Sequence, residues 1–247
     1  MIYITGDTHG DWMTRLRKDS FPEQEDMTKD DLVIIAGDFG LWHDNATERY
    51  NLDWLDGRSF TTLFVDGNHE NFDRLYSFPV SEWNGGKVHK IRPSVIHLMR
   101  GQVFTLQEKT FFTFGGASSH DIKDGILERD DPRIRQYAEE YKAFRINHLS
   151  WWEQELPSDE EMAEGLKNLE EHGNKVDYII THSPDTLMLR QMDRGSRYYK
   201  RDRLTDYLLQ VRQKVDFKQW IFGHMHRDAN FCHDRSVCLY EQIVRLL

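Results

Sequence analysis

Short apolar runs, each about the length of one strand, constrain the fold of this chain more than any other feature. They are rich in β-branched and aromatic residues, and most of them stop at Gly, Asp or His. The runs are Ile2–Thr5, Leu32–Ala36, Thr61–Val65, Val95–Leu98, Val103–Leu106, Thr110–Phe114, Val176–Thr181 and Lys218–Phe222. Between them lie three helical patterns, at Asp44–Leu55, Ser158–His172 and Asp202–Lys214. Strands alternate with helices near the start, whereas Lys87–Phe114 has few helix signals, so the pattern predicts an α/β protein with a substantial antiparallel element.

Length and composition indicate a globular chain with a well-charged surface. The 247 residues are 38% hydrophobic and 30% charged. No linker is evident, so we expect a single domain over residues 1–247, with an excursion from the core at about residues 118–157. No apolar run approaches the roughly 20 residues that span a bilayer, and no secretory leader opens the chain. We therefore expect a cytoplasmic protein without a membrane partner, in which Cys232 and Cys238 are reduced thiols.

The net charge limits the choice of partners. At −10, it argues against a protein that binds double-stranded nucleic acid, because such a protein needs a basic surface. It leaves a phosphorylated substrate open, since bound metal ions can supply local positive charge.

Polar side chains follow five of the apolar runs, at the point where each run stops. The motifs are G-D-T-H-G-D, A-G-D-F-G, V-D-G-N-H-E, T-H-S-P and G-H-M-H. Ligand sites in open α/β sheets form at the carboxyl ends of the strands, so these five segments can converge on one rim. The candidate ligands in them are Asp7, His9, Asp38, Asn68, His182, His224 and His226.

This set of carboxylates, imidazoles and one carboxamide suits Mn, Fe, Zn or Co. Seven groups are too many for one tetrahedral ion but fit two ions that share a bridging carboxylate. Glycines precede Asp7, Asp38, Asn68 and His224, which permits close approach of the backbone to a ligand. Each motif alone also fits a turn, a helix start or a pair of solvent-facing imidazoles, and only the ordered combination favours a metal site.

The ordered motifs resemble those of the calcineurin-like metallophosphoesterase superfamily. That pattern reads D-x-H, G-D, G-N-H-[E/D], a lone H and G-H-x-H, and all five members occur here in order between Gly6 and His226. The resemblance implies a four-layer α/β/β/α sandwich with mixed sheets and an active site at one end. It implies a first metal held by Asp7, His9, Asp38 and His226. It implies a second metal held by Asp38, Asn68, His182 and His224.

The resemblance also implies a hydrolase of phosphate esters, acting on a phosphorylated small molecule, a nucleotide or a phosphoprotein. Two divalent ions about 3.5–4 Å apart can share a water and lower its pKa to about 7, so that a bridging hydroxide attacks phosphorus. Manganese is the ion we expect to support activity in vitro. His69, beside Asn68, would act as the general acid that protonates the leaving group. Glu70 and Asp66 are candidates to orient it.

One departure separates this chain from the protein Ser/Thr phosphatases. That branch reads G-D-x-V-D-R-G at the second motif, whereas this chain places Leu41 and Trp42 where the second acid and the arginine stand. We therefore expect phosphodiesterase activity at least comparable with monoesterase activity. The alternatives are a phosphatase-like monoesterase and a non-catalytic scaffold on the same fold. Trp42, His43 and His120 are expected to border the substrate pocket, although Trp42 also fits simple packing under a loop.

Overall fold

The computed structural model describes residues 1–193 and 199–247. In these two ranges the strands are β1 (Ile2–Thr5), β2 (Leu32–Ile35), β3 (Thr61–Phe64), β4 (Val80–Trp83), β5 (Gly86–Arg92), β6 (Val95–Leu98), β7 (Gln102–Leu106), β8 (Lys109–Phe114), β9 (Ile126–Leu127), β10 (Arg145–Ile146), β11 (Lys175–Thr181), β12 (Asp216–Phe222), β13 (Ala229–Phe231), β14 (Ser236–Cys238) and β15 (Ile243–Arg245). The helices are α1 (Trp12–Leu16), α2 (Ala46–Asp56), α3 (Phe72–Leu75), α4 (Ile134–Glu139), α5 (Asp159–Glu171), α6 (Thr186–Asp193) and α7 (Arg203–Lys214). Three short 3₁₀ turns lie at Pro22–Asp26, Glu153–Glu155 and Cys232–Asp234.

Two large mixed sheets form the centre of the molecule. The first sheet has the strand order β15-β1-β2-β3-β6-β5-β4, and the second has the order β13-β14-β12-β11-β8-β7. Neighbours are parallel from β1 through β2 and β3 to β6, and again from β8 through β11 and β12 to β14. Antiparallel strands close the edges of both sheets. The carboxyl ends of the central strands in each sheet therefore lie at a common edge.

Alternating side chains build three apolar layers around the sheets. In β2, Leu32 and Ile34 belong to the core between the two sheets, whereas Val33 and Ile35 belong to the outer core against α1, α2 and α3. On the opposite side, α5, α6 and α7 pack on the second sheet around residues such as Trp220. The order of layers is thus helix, sheet, sheet, helix, which confirms the predicted α/β/β/α sandwich.

Helix caps follow the sequence signals closely. Ser158 and Glu161 form the expected capping box of α5, with bonds of 2.8 and 3.1 Å between each side chain and the other residue's backbone N–H. Asp202 caps α7 through the backbone N–H of Thr205, and Asn45 caps α2.

The segment between residues 118 and 157 lies largely apart from the two sheets. It contains β9 and β10, which pair in parallel as a separate two-stranded sheet, and the exposed helix α4. That the chain forms a single domain stays a prediction. Cys232 and Cys238 are both free thiols. Within the described ranges, no helix has the length and apolar character needed to cross a bilayer.

Candidate metal centre

Backbone hydrogen bonds join four of the five polar motifs in two pairs at one edge of the sandwich. The backbone N–H groups of Thr8 and His9 both donate to the carbonyl of Asp38, over 3.1 and 2.7 Å. Gly223 N–H donates to the carbonyl of His182 over 3.0 Å, which ties the fourth motif to the fifth. The loops after β1 and β2 are therefore fixed to each other, as are those after β11 and β12.

The first predicted ligand group is assembled in the structure. One donor atom from each of its four residues lies within 4.8 Å of the others, and the group is Asp7, His9, Asp38 and His226. His226 Nε2 lies 3.1 Å from His9 Nε2 and 3.3 Å from Asp7 Oδ2. The two carboxylates are buried and the two imidazoles face solvent. Paired imidazoles and buried carboxylates provide the donors and the negative charge that a divalent cation requires.

The second predicted group meets around His182. Its Nε2 lies 3.4 Å from both Asp38 Oδ1 and Asn68 Oδ1. Its Nδ1–H donates to the carbonyl of Ala36 over 2.9 Å, which leaves Nε2 as the nitrogen that could bind a metal ion once it has lost its proton. The buried ring of His224 lies 5.0 Å from that of His182, measured between centroids. All seven predicted side chains are thus at one place, and their binding of ions stays a prediction.

Asp38 shows that the site fits a cation. Its Oδ1 accepts the backbone N–H of His69 over 2.8 Å, whereas its Oδ2 is buried and has no hydrogen-bond donor among the described residues. That same Oδ2 lies 3.8 Å from His9 Nδ1. An unsatisfied carboxylate oxygen in the interior is costly unless a cation neutralises it. Asp38 therefore presents one oxygen to each ligand group, as a bridging carboxylate would.

Glycines give the ligands room, as the sequence indicated. A Cβ at Gly67 would stand 2.0 Å from Asp38 Oδ1, and a Cβ at Gly37 would stand 2.0 Å from His182 Nδ1. Gly37 also has a φ of +97°, a conformation that side-chain-bearing residues rarely adopt.

The site contains four of the twelve non-glycine residues that have positive φ in the described ranges. Four of the predicted ligands have positive φ, with values of 48° for His9, 44° for Asp38, 64° for His224 and 43° for His226. Non-glycine residues pay for this conformation, and it clusters at functional sites where the surrounding structure enforces it. The sequence gives no direct signal of this strain.

The charges of the site are strongly coupled. Burial opposes protonation of His182, but Asp38 and Asp7 together outweigh it and raise the pKa of His182 to about 10. Burial, with His182 beside it, holds the pKa of His224 well below its usual value, so this imidazole is neutral and ready to bind a metal. Because bound cations would oppose the proton on His182, metal binding is expected to release it.

Two residues that the sequence did not suggest hold Asn68. Its Nδ2 donates to Ser119 Oγ over 3.3 Å, which turns its Oδ1 towards His182. Ser119 N–H in turn donates to Glu155 Oε2 over 3.2 Å. Burial raises the pKa of Glu155 to about 8. Ser119 and Glu155 come from the segment between residues 118 and 157, so this segment contributes to the site.

Ser119→Ala is expected to weaken binding of the second ion by about 10–100-fold, because Asn68 loses the partner that fixes its carboxamide. The measurement is a calorimetric titration of the chelated protein with Mn²⁺. Ser118→Ala is the matched control, and Ser119→Thr, which keeps the hydroxyl, should restore most of the affinity. Unchanged Mn²⁺ affinity in Ser119→Ala would show that Ser119 does not position Asn68.

His69 lines a cavity of about 380 Å³ together with ligands of both groups. Its ring is partly buried and lies 5.2 Å from that of His9, measured between centroids. The two carboxylates that were candidates to orient His69 form hydrogen bonds and ion pairs with other residues. Glu70 accepts the backbone N–H groups of Gly40 and Leu41, and Asp66 pairs with Arg100 and His97. The idea that either carboxylate orients the ring of His69 is therefore not supported.

The three predicted substrate contacts occupy different positions. His120 lines the cavity with His69. Trp42 packs on the outer core of the first sheet, with its ring 5.6 Å from that of Trp152 and 6.3 Å from that of His69. His43 is exposed. Their contact with substrate stays a prediction.

Comparison with protein families identifies the chain as a hydrolase of phosphoesters. The family model for calcineurin-like phosphoesterase matches residues 1–228, and the chain belongs to this family. Among solved structures, the chain is similar to the crystal structure of phosphopantetheinyl hydrolase from Mycobacterium tuberculosis. The two share 17% identity over 97% of this chain and 87% of that chain, with a TM-score of 0.46. A search of curated protein sequences found no match.

Proposed function

We propose that the protein hydrolyses phosphate esters, phosphodiesters included, with two divalent ions held by the two ligand groups that share Asp38. The observation that carries this proposal is the position of Asp38, with Oδ1 at 3.4 Å from His182 Nε2 and a buried, unsatisfied Oδ2 beside His9. Mn, Fe, Zn and Co all suit the donor set. When bound, such a pair of ions would supply a water of lowered pKa as the nucleophile and would neutralise charge on the phosphate.

His69 is the residue best placed to give a proton to the leaving group. Its ring shares the cavity with the ligands but belongs to neither ligand group. Its backbone N–H is held by Asp38 Oδ1 over 2.8 Å, which fixes the Cα of His69 relative to the metal centre. In the overall reaction water gives up a proton to solvent and bonds to phosphorus, the ester P–O bond breaks, and His69 protonates the departing oxygen and then regains a proton from solvent.

The walls of this cavity favour a substrate with little negative charge at the scissile phosphate. Among its described lining residues there is no lysine or arginine, whereas Asp38 is present; Asp121 also lines the cavity but pairs with Arg145. Leu41 is buried in the outer core of the first sheet, and so gives the phosphate no charged partner. A monoanionic diester therefore needs less compensation here than a dianionic monoester.

We expect the Mn²⁺-loaded protein to hydrolyse bis(p-nitrophenyl) phosphate with a kcat/KM at least equal to that for p-nitrophenyl phosphate. The two substrates share a leaving group, so their ratio reports on the ester class alone. A tenfold or greater preference for the monoester would favour a phosphatase-like enzyme. The absence of turnover with either substrate would favour a non-catalytic scaffold.

A further inference from the structure

A second cavity, of about 350 Å³, adjoins the metal-centre cavity. The two share the lining residues His120, Tyr199 and His224. Because His224 belongs to the second ligand group, a substrate bound at the metal centre can extend past His224 into this adjoining cavity.

The adjoining cavity is lined by three cations, Lys123, Lys200 and Arg201. Arg201 pairs with Asp206, whereas Lys123 and Lys200 form no ion pair with any residue in the described ranges. Among the described lining residues, Asp202 is the one acid. Burial raises its pKa, and its carboxylate accepts the backbone N–H of Thr205 as the cap of α7. Lys123 and Lys200 thus outnumber Asp202, so the described lining residues carry a net positive charge on a protein whose net charge is −10.

Apolar groups form the rest of the wall. Ile122 and Leu189 line the cavity. The ring of Tyr199 lies 4.6 Å from that of His120 and 5.3 Å from that of His224, measured between centroids. An organic group can pack on these side chains while an anionic group reaches the lysines.

We propose that this adjoining cavity binds a second phosphoryl group of the substrate, so that the enzyme acts on phosphoesters that carry two phosphoryl groups. The inference rests on the proposed function, because it places the scissile phosphate at the metal centre. The second group is joined to the first either directly, as an anhydride, or through the organic part of the substrate.

The test compares substrates that differ by one phosphoryl group. The singly phosphorylated substrate is thymidine 5′-(p-nitrophenyl phosphate). Its 3′-phosphorylated derivative carries a second phosphoryl group on the sugar and tests a link through the organic part of the substrate. The p-nitrophenyl ester of thymidine 5′-diphosphate tests the anhydride. One of the two doubly phosphorylated substrates should have a KM at least about tenfold lower than the singly phosphorylated one, the size expected for a contact to a charged group.

The double variant Lys123→Ala/Lys200→Ala should remove that preference through KM, while kcat/KM for bis(p-nitrophenyl) phosphate stays the same. Lys90→Ala/Lys214→Ala is the matched control, because it removes the same charge away from the cavity and should change nothing. An equal KM for singly and doubly phosphorylated substrates in the wild type, or the same effect from both double variants, would overturn the proposal.

A binding measurement that requires no hydrolysis tests this inference separately from the proposed function. Thymidine 3′,5′-bisphosphate and thymidine 5′-diphosphate are titrated into the Mn²⁺-loaded protein by calorimetry, with thymidine 5′-monophosphate as the reference. Tighter binding of a doubly phosphorylated ligand that depends on Lys123 and Lys200, in a protein without hydrolytic activity, would support the cavity and overturn the catalytic role. Normal hydrolysis of bis(p-nitrophenyl) phosphate with equal binding of all three ligands would overturn the cavity alone.

Discussion

Asp38→Asn is expected to reduce kcat/KM by at least about 10³-fold, because the loss of both ions removes several kcal/mol of transition-state stabilisation. Asn has the same shape as Asp, and its Oδ1 can still accept the backbone N–H of His69 that Asp38 Oδ1 accepts at 2.8 Å. It lacks the negative charge that the buried Oδ2 would offer to a metal ion. The measurement is steady-state hydrolysis of bis(p-nitrophenyl) phosphate in excess Mn²⁺.

His226→Ala is the comparison for Asp38→Asn, because His226 belongs to the first ligand group only. It should leave the second ion in place and cause a smaller loss of activity. The folded state of each variant is checked by thermal unfolding of the chelated proteins. Activity in Asp38→Asn equal to that of the wild type would show that Asp38 does not bridge the two ions.

His69→Ala is expected to lower kcat by about 10²–10⁴-fold on substrates with poor leaving groups. Its ring lines the cavity without belonging to either ligand group. The loss should shrink with p-nitrophenolate as the leaving group, because a stable anion needs little protonation at the transition state. The metal content should stay that of the wild type.

The measurement for His69 is kcat across aryl and alkyl diesters whose leaving groups span a graded series of pKa values. His233→Ala is the control, since His233 is exposed and lies away from the cavity. A loss of equal size for every leaving group, or a loss of metal, would rule out His69 as the general acid.

Short apolar runs were enough to predict the strands that position the site, whereas the order of the layers was predicted only by the family resemblance. In β2, residues Leu32–Ile35 are all apolar, so the sequence does not say which core each side chain enters; the structure places Leu32 and Ile34 between the sheets and Val33 and Ile35 in the outer core. Shorter elements were missed because they contain too few residues for a period to emerge. The five-residue helix α1 and the partly exposed strand β4 are examples.

The candidate ligands could be predicted from the sequence because each lies in a recognisable motif at the end of a strand. The side chains that position these ligands could not be predicted in this way. Ser119 lies 51 residues from Asn68, and nothing in the intervening sequence indicates that the two side chains meet. Trp42 illustrates a different limit, since an indole next to a motif fits both packing and substrate contact, and only the structure shows its position against Trp152.

Metal content measured by elemental analysis, on protein that has been chelated, reloaded with Mn²⁺ and freed of excess ion, tests the two-metal centre most directly. We expect two ions per chain in the wild type, about one in His226→Ala and none in Asp38→Asn, with hydrolysis lost on chelation and restored by Mn²⁺. A wild-type protein that hydrolyses phosphodiesters with one ion or none, or an Asp38→Asn variant that keeps both ions and full activity, would contradict a metal pair bridged by Asp38.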